Sequence, residues 1–197
     1  MPELDSAGFD LLFNSARTYT AWLDKPVDAG ILKQAYDLAK MAPTSANNQP
    51  MHITFVSSKE AKEKLKPCLD AGNVDKTMSA PTTAIIAYDE KFQDQLARWW
   101  PHNADKMKTM YDSKPELAHD TAFRNGSLQG GYFILAARAL GLDCGPMSGF
   151  NNAKVDEAFF AGTSLKSNFL INLGYGDASK LYPRGPRPSF DEYCSIL

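Results

Sequence analysis

Ala42-Pro43-Thr44-Ser45-Ala46-Asn47-Asn48-Gln49-Pro50 stands between a helical pattern and a strand pattern. Thr44, Ser45, Asn47, Asn48 and Gln49 carry short hydrogen-bonding side chains that compete for backbone groups, so this stretch is a loop. Before it, Ile31, Ala35, Leu38 and Ala39 recur at the spacing of one helical face, which predicts a helix over 31–42 running into Pro43. After it, the β-prone run around Ile53 and Phe55 predicts a strand over 51–57. A second helix is expected over 59–71 and a second strand over 82–88.

Further along, residues 89–115 are aromatic and charged without a clean apolar period, as in short helices forming a lid or lobe. Leu117, Thr121, Leu128, Tyr132, Leu135 and Ala139 then follow helical spacing, which predicts one long helix over 116–140 capped by Gly141. A neighbouring stripe of that helix is small: Ala122, Gly126, Gly130, Ile134 and Ala137. An interior glycine costs about 1 kcal/mol relative to alanine, so the stripe calls for compensation by close packing, or by approach of a flat ligand or a symmetry mate. Two glycines and a proline make 144–149 a shaped loop. A short helix over 154–160, a strand over 167–173 and an extended basic tail over 174–189 complete an α+β pattern. No repeat or linker divides it, so one domain is expected over 1–197.

Composition narrows the function. Residues of hydrophobic type make up 44% of the 197 and charged residues 22%, enough for a complete core. A net charge of -2 gives no general attraction to nucleic acid or to an acidic membrane, so any anion site must be local. The longest apolar stretches fall short of the ~20 residues a membrane-spanning helix needs. The acidic start lacks the pattern of a secretory signal, which makes a cytoplasmic protein the expectation. Cys68, Cys144 and Cys194 form no C-x-x-C or zinc pattern, so reduced thiols and no metal are expected.

Two basic clusters lie at opposite ends of the chain: Arg17 with Thr18, and Arg184 with Arg187. United by the fold they would form a phosphate clamp, because guanidinium groups meet phosphate oxygens bidentately and a hydroxyl takes another. Taken alone, each reads as a solvated surface arginine. The amides of the 43–50 loop suit the polar edge of a planar heterocycle, and turn formation is their simpler use. Asn73 and Lys76 could add a donor and a positive charge beside such a ring, or be a solvated helix end. No G-x-G-x-x-G pyrophosphate loop and no G-x-S-x-G nucleophile elbow occurs.

The 42–50 string resembles the hallmark loop of the nitroreductase family, whose members bind FMN between two subunits of an α+β homodimer. Other matches follow in order: Arg17-Thr18 with Trp22, Asn73 with Lys76, Leu140-Gly141-Leu142 before Gly145-Pro146-Met147, and Arg187 before Ser189-Phe190-Asp191-Glu192. Within the family, Thr121-Ala122-Phe123-Arg124-Asn125, Gly145-Pro146-Met147-Ser148-Gly149-Phe150 and Gly174-Tyr175-Gly176-Asp177 are similar to the RutE-like malonic semialdehyde reductases of pyrimidine degradation. The family opening has an extra arginine before its Arg-Ser pair and a basic residue two places after it, where this chain has Ala16 and Thr20.

The resemblance implies a nitroreductase-like fold, with a central, mostly antiparallel sheet flanked by helices and the long helix at a dimer interface. It assigns Arg17, Thr18 and Arg187 to the flavin phosphate, with Arg184 as a candidate fourth contact. It places Asn73 and Lys76 at the pyrimidine edge of the ring, and Pro146, Met147 and Ser148 along its far face. Thr44, Ser45 and Asn47 would come from the partner subunit. The implied reaction is ping-pong hydride transfer through flavin N5, from NADPH or NADH to a small aldehyde. Arg98, His102 and Arg124 are candidates for polarising the carbonyl or meeting the carboxylate of an aldehyde acid. The alternatives are a general nitro or quinone reductase and a flavin-binding protein without turnover.

Overall fold

The computed structural model describes residues 3–197. In chain order the elements are α1 (Ser6–Phe9), α2 (Ala29–Ala39), β1 (Met51–Val56), α3 (Lys59–Leu65), α4 (Val74–Ser79), β2 (Thr82–Asp89), α5 (Leu96–Trp99), α6 (Ala104–Asp112), α7 (Pro115–Ala139), β3 (Asp143–Met147), α8 (Asn152–Phe160), β4 (Leu165–Gly174) and α9 (Phe190–Tyr193). The strands form one antiparallel sheet in the order β1-β2-β4-β3. Central β2 is buried from Thr82 to Tyr88, and its neighbouring isoleucines point to opposite faces because strand side chains alternate. Ile86 joins Leu32, Phe133 and Ile171 under α2 and α7; Ile85 joins Leu65, Val155 and Leu170 under α3 and α8. The sheet is thus covered by helices on both faces.

Several boundaries differ from those expected. Helix α2 is capped by Asp28, whose carboxylate accepts from the Gly30 N–H at 2.7 Å, and it spans Ala29–Ala39 instead of 31–42. The helix expected over 59–71 stops at Leu65, because Pro67 lacks the N–H that continuation needs. The larger correction concerns 144–149. Cys144 to Met147 are part of edge strand β3, with Cys144 opposite Leu173 and Met147 opposite Leu170. Pro146 is tolerated because an edge strand leaves one side of its backbone unpaired.

The long helix runs for 25 residues, about 37 Å at 1.5 Å per residue, and Gly141 follows it with φ +79°. Its buried face is the small stripe, while Leu117, Leu128 and Tyr132 lie on the solvent side. A side chain at Gly126 would begin 3.0 Å from the Tyr88 Cβ, and one at Gly130 would begin 2.6 Å from the Phe169 ring. The glycines therefore let α7 lie against its own sheet, which is the packing explanation and not a subunit contact at these two positions. Gly126→Leu should lower stability by about 1–3 kcal/mol through overpacking. Thermal unfolding at several protein concentrations checks this: the loss should be the same at each, and a loss seen only on dilution would place the contact between subunits.

Among the described residues no helix is long and apolar enough to cross a membrane, and no group of three metal-ligating side chains gathers. The short helices between β2 and α7 form the expected lobe, in which Phe92, Leu96 and Tyr111 pack against the start of α7.

Candidate functional site

The two ends of the chain meet. Thr18 forms a parallel bridge with Cys144, and the Tyr19 N–H donates to the Cys144 carbonyl at 3.1 Å, which sets the N-terminal segment beside β3. Gly145 allows this approach, since a Cβ there would strike the Tyr19 carbonyl and the Trp22 ring. The C-terminal tail returns across the same segment. Arg184 donates to the carbonyls of Asn14 and Ala16 at 2.7 and 2.8 Å, and Arg17 donates to the Tyr182 carbonyl. The result is a cavity of about 360 Å³ that holds Arg17, Thr18, Arg184 and Arg187, with Arg138 from the end of α7. None of these four arginines pairs with a carboxylate among the described residues. Four guanidinium groups sharing one small space repel each other unless an anion joins them. A phosphate fits that requirement.

A second group lies behind β3. Asn73 caps α4, and its amide donates to the Gly149 carbonyl at 2.7 Å, which ties down the segment after Met147. Lys76 is half-buried on α4, not a solvated helix end. Its carbonyl accepts from Trp22 Nε1 at 3.0 Å and from the Asn172 amide at 3.2 Å. The buried network continues through Asn172, whose Oδ1 accepts from the Thr83 hydroxyl at 2.7 Å, to Lys62, whose ammonium donates to Thr83 Oγ1 at 2.6 Å and to the Thr77 carbonyl at 2.8 Å. Thr77 also donates to the Met147 sulfur at 3.6 Å. Pro146 and Met147 are half-buried and Ser148 is exposed just beyond the strand.

The 43–50 loop is held elsewhere. Ala46, Asn47 and Gln49 have φ between +45° and +50°, a left-handed conformation uncommon outside glycine, and α7 supplies the bonds that hold it. Asn125 Oδ1 accepts from the Ser45 N–H at 2.9 Å, and the Gln129 amide donates to Gln49 at 2.8 Å. Asn47 donates to the Trp99 carbonyl at 2.9 Å, and Thr44 Oγ1 accepts from the Gln49 N–H at 3.3 Å. A cavity of about 640 Å³ opens here, bordered by Asn47, Asn48, His52, Trp99 and Arg98, and it shares no residue with the arginine cavity. Of the three carbonyl candidates only Arg98 borders it, stacked 4.2 Å over the Trp99 ring. His102 lies in a separate surface recess, and Arg124 is on the solvent side of α7.

Sequence reasoning missed Arg138, Lys62, Asn125, Gln129 and Asn172 as members of these arrangements. A signal existed for two of them: Asn125 and Gln129 are amides four apart on the helix face that is otherwise small and apolar, the spacing that puts them side by side.

Comparison with known proteins identifies the family and the fold. The family model described as "Nitroreductase family" matches residues 14–175. A protein of Stenotrophomonas maltophilia carrying the provisional name NADH dehydrogenase/NAD(P)H nitroreductase is 60% identical over 193 residues, covering 98% of this chain and 97% of its own. One of Burkholderia lata with the same provisional name is 55% identical over 196 residues, covering both chains completely. Among solved structures, a provisionally named nitroreductase from Bacillus subtilis superimposes with a TM-score of 0.88 at 24% identity, covering 98% of this chain and 100% of its own. Another, from Exiguobacterium sibiricum in complex with FMN, gives 0.87 at 19% identity over the whole of both chains. The expected nitroreductase-like α+β fold is therefore the fold observed, and the chain belongs to the nitroreductase family.

Proposed function

We propose that this chain is an FMN-dependent NAD(P)H oxidoreductase that works as a homodimer and reduces malonic semialdehyde to 3-hydroxypropionate. The observation that carries the flavin part is the arginine cavity, where Arg17 and Arg184, from opposite ends of the chain, share one space with no carboxylate between them. Its cations suit a terminal phosphate monoester, and Thr18 adds a hydroxyl. Bound FMN supplies the two-electron chemistry, hydride in from NADH or NADPH and hydride out to an acceptor.

The chain's own residues supply position and charge. Lys76 would set a cation where a reduced flavin gathers negative charge, and the Trp22 and Asn172 bonds to its carbonyl hold its backbone in place. Asn73 keeps the Met147–Ser148 turn in shape through Gly149. Thr44, Ser45 and Asn47 border or adjoin a cavity that shares no residue with the arginine cavity, which supports their reaching a partner's flavin rather than their own. Arg98 is an exposed cation beside that loop, suited to the carboxylate of an aldehyde acid.

The provisional name of the 55–60% identical relatives favours a second reading, a broad NAD(P)H nitro or quinone reductase. Purified protein should be yellow and release FMN, not FAD, on denaturation. Chromatography of the released flavin checks this, and a colourless protein that FMN does not stabilise would remove the proposal. Reduction by NADH or NADPH separates an enzyme from a passive flavin carrier. Stopped-flow reoxidation by malonic semialdehyde, a quinone and a nitroaromatic then separates the two enzymatic readings; reoxidation fastest with the aldehyde supports the dedicated reductase.

A further inference from the structure

We propose that Arg138 is a phosphate-binding residue, supplying a cation to the arginine cavity from the last turn of α7; this rests on the flavin reading above. Arg138 borders the same cavity as Arg17, Thr18, Arg184 and Arg187. The existing hydrogen bonds divide the labour among them. Arg184 makes two short bonds that fasten the tail to Asn14 and Ala16, and Arg187 bonds the carbonyls of its own turn at 3.0 and 3.1 Å. Arg17 holds Tyr182. Arg138 makes one hydrogen bond, to the Leu12 carbonyl at 3.3 Å, beyond the usual N–H···O range, so most of its guanidinium fork is open to an oxyanion.

Position favours it as well. Arg184 and Arg187 ride on an exposed tail, whereas Arg138 grows from a 25-residue helix whose adjoining Ala136 and Ala137 are buried. A cation on a rigid element loses less freedom when it binds. The carbonyl end of α7 carries partial negative charge, which would oppose a phosphate close by; a cation in the last turn is stabilised there and reverses the local sign. Arg138 thus removes an obstacle to the anion and contacts it at once. Ala16 brings no cation of its own to the cavity, and Arg138 adds one from the helix side.

Arg138→Gln and Arg138→Lys test this, by titrating the flavin-free protein with FMN and with riboflavin, which lacks the phosphate. The glutamine variant should bind FMN about ten- to a hundredfold more weakly, the scale of removing one charge-assisted hydrogen bond, and keep its riboflavin affinity. Lysine should fall between. Inorganic phosphate should raise the melting temperature of the flavin-free wild type and not that of Arg138→Gln. Unchanged FMN affinity, or equal weakening for both flavins, overturns the proposal. Should the glutamine variant not fold, the lysine variant decides by the same ratio. Should the wild type bind neither flavin, the reading in the preceding subsection falls; the phosphate shift then decides Arg138 alone, and its absence overturns the assignment.

Discussion

Between pH 7 and pH 10 the wild-type protein should gain about 2–3 kcal/mol of stability relative to a Lys62→Met variant. Lys62 is buried at 5% exposure, and burial pushes its ammonium down to about 8 from 10.5. Below pH 8 the ammonium is charged in both the folded and the unfolded chain, and the full cost of burying it is present. Between 8 and 10.5 the unfolded chain holds a proton that the folded chain has released, so stability rises with pH across that window. Other buried groups act in the opposite sense: the Cys144 thiol, pushed up to about 12 by burial, and the Cys68 thiol and Tyr88 hydroxyl, also raised by burial, remove stability as the unfolded chain ionises. The comparison is therefore between the two proteins at each pH, by urea denaturation. Parallel curves would show that Lys62 does not titrate differently on folding. Because Lys62 reaches Met147 and the Lys76 carbonyl through Thr83, Asn172 and Thr77, the variant also tests whether this network holds in place these two residues, which are proposed to border the flavin.

The elements with a strong local period were legible from sequence. Helix α7 was, because its spacing persists along its whole length and Gly141 marks the end. So was β2, whose run is apolar on both faces because helices cover both sides of the sheet. Strand β3 was hidden, since Cys144-Gly145-Pro146-Met147 has neither alternation nor β-branched residues; its strand conformation comes from pairing with β4 and from Thr18 on its other side, which are tertiary facts. The start of α3 at Lys59 was legible and its end was not, because helix-forming residues such as Leu69 and Ala71 continue beyond Pro67, before which the helix stops at Leu65. Within the site, Arg17 and Arg187 carried recognisable chemistry, but their meeting depended on the tail crossing the N-terminal segment. Arg138 carried no local signal: a basic residue in the last turn of a helix is ordinary. Of the readings the glycine stripe allows, close packing is the one seen at Gly126 and Gly130, and what they pack against, Tyr88 and Phe169, could be known only once the sheet was placed under it.

Arg187→Ala should weaken FMN binding by about 2–3 kcal/mol, roughly thirty- to a hundredfold or somewhat more, while leaving the fold intact. The separation of binding from folding follows from where Arg187 stands. It is exposed, it forms no ion pair among the described residues, and its bonds go to Gly185 and Pro186 within its own turn. Arg184 differs: its bonds to Asn14 and Ala16 join the two chain ends, so Arg184→Ala should loosen the tail and lower FMN and riboflavin affinity together. Arg187→Lys should recover only part of the affinity, because an ammonium restores charge without the planar fork that meets two phosphate oxygens at once. Isothermal titration of the flavin-free proteins with both flavins reads all three variants. A selective weakening toward FMN in Arg187→Ala beside a joint weakening in Arg184→Ala would assign phosphate binding to the first and architecture to the second. Unchanged FMN affinity in Arg187→Ala would make it a surface residue and leave Arg17, Thr18 and Arg138 as the clamp.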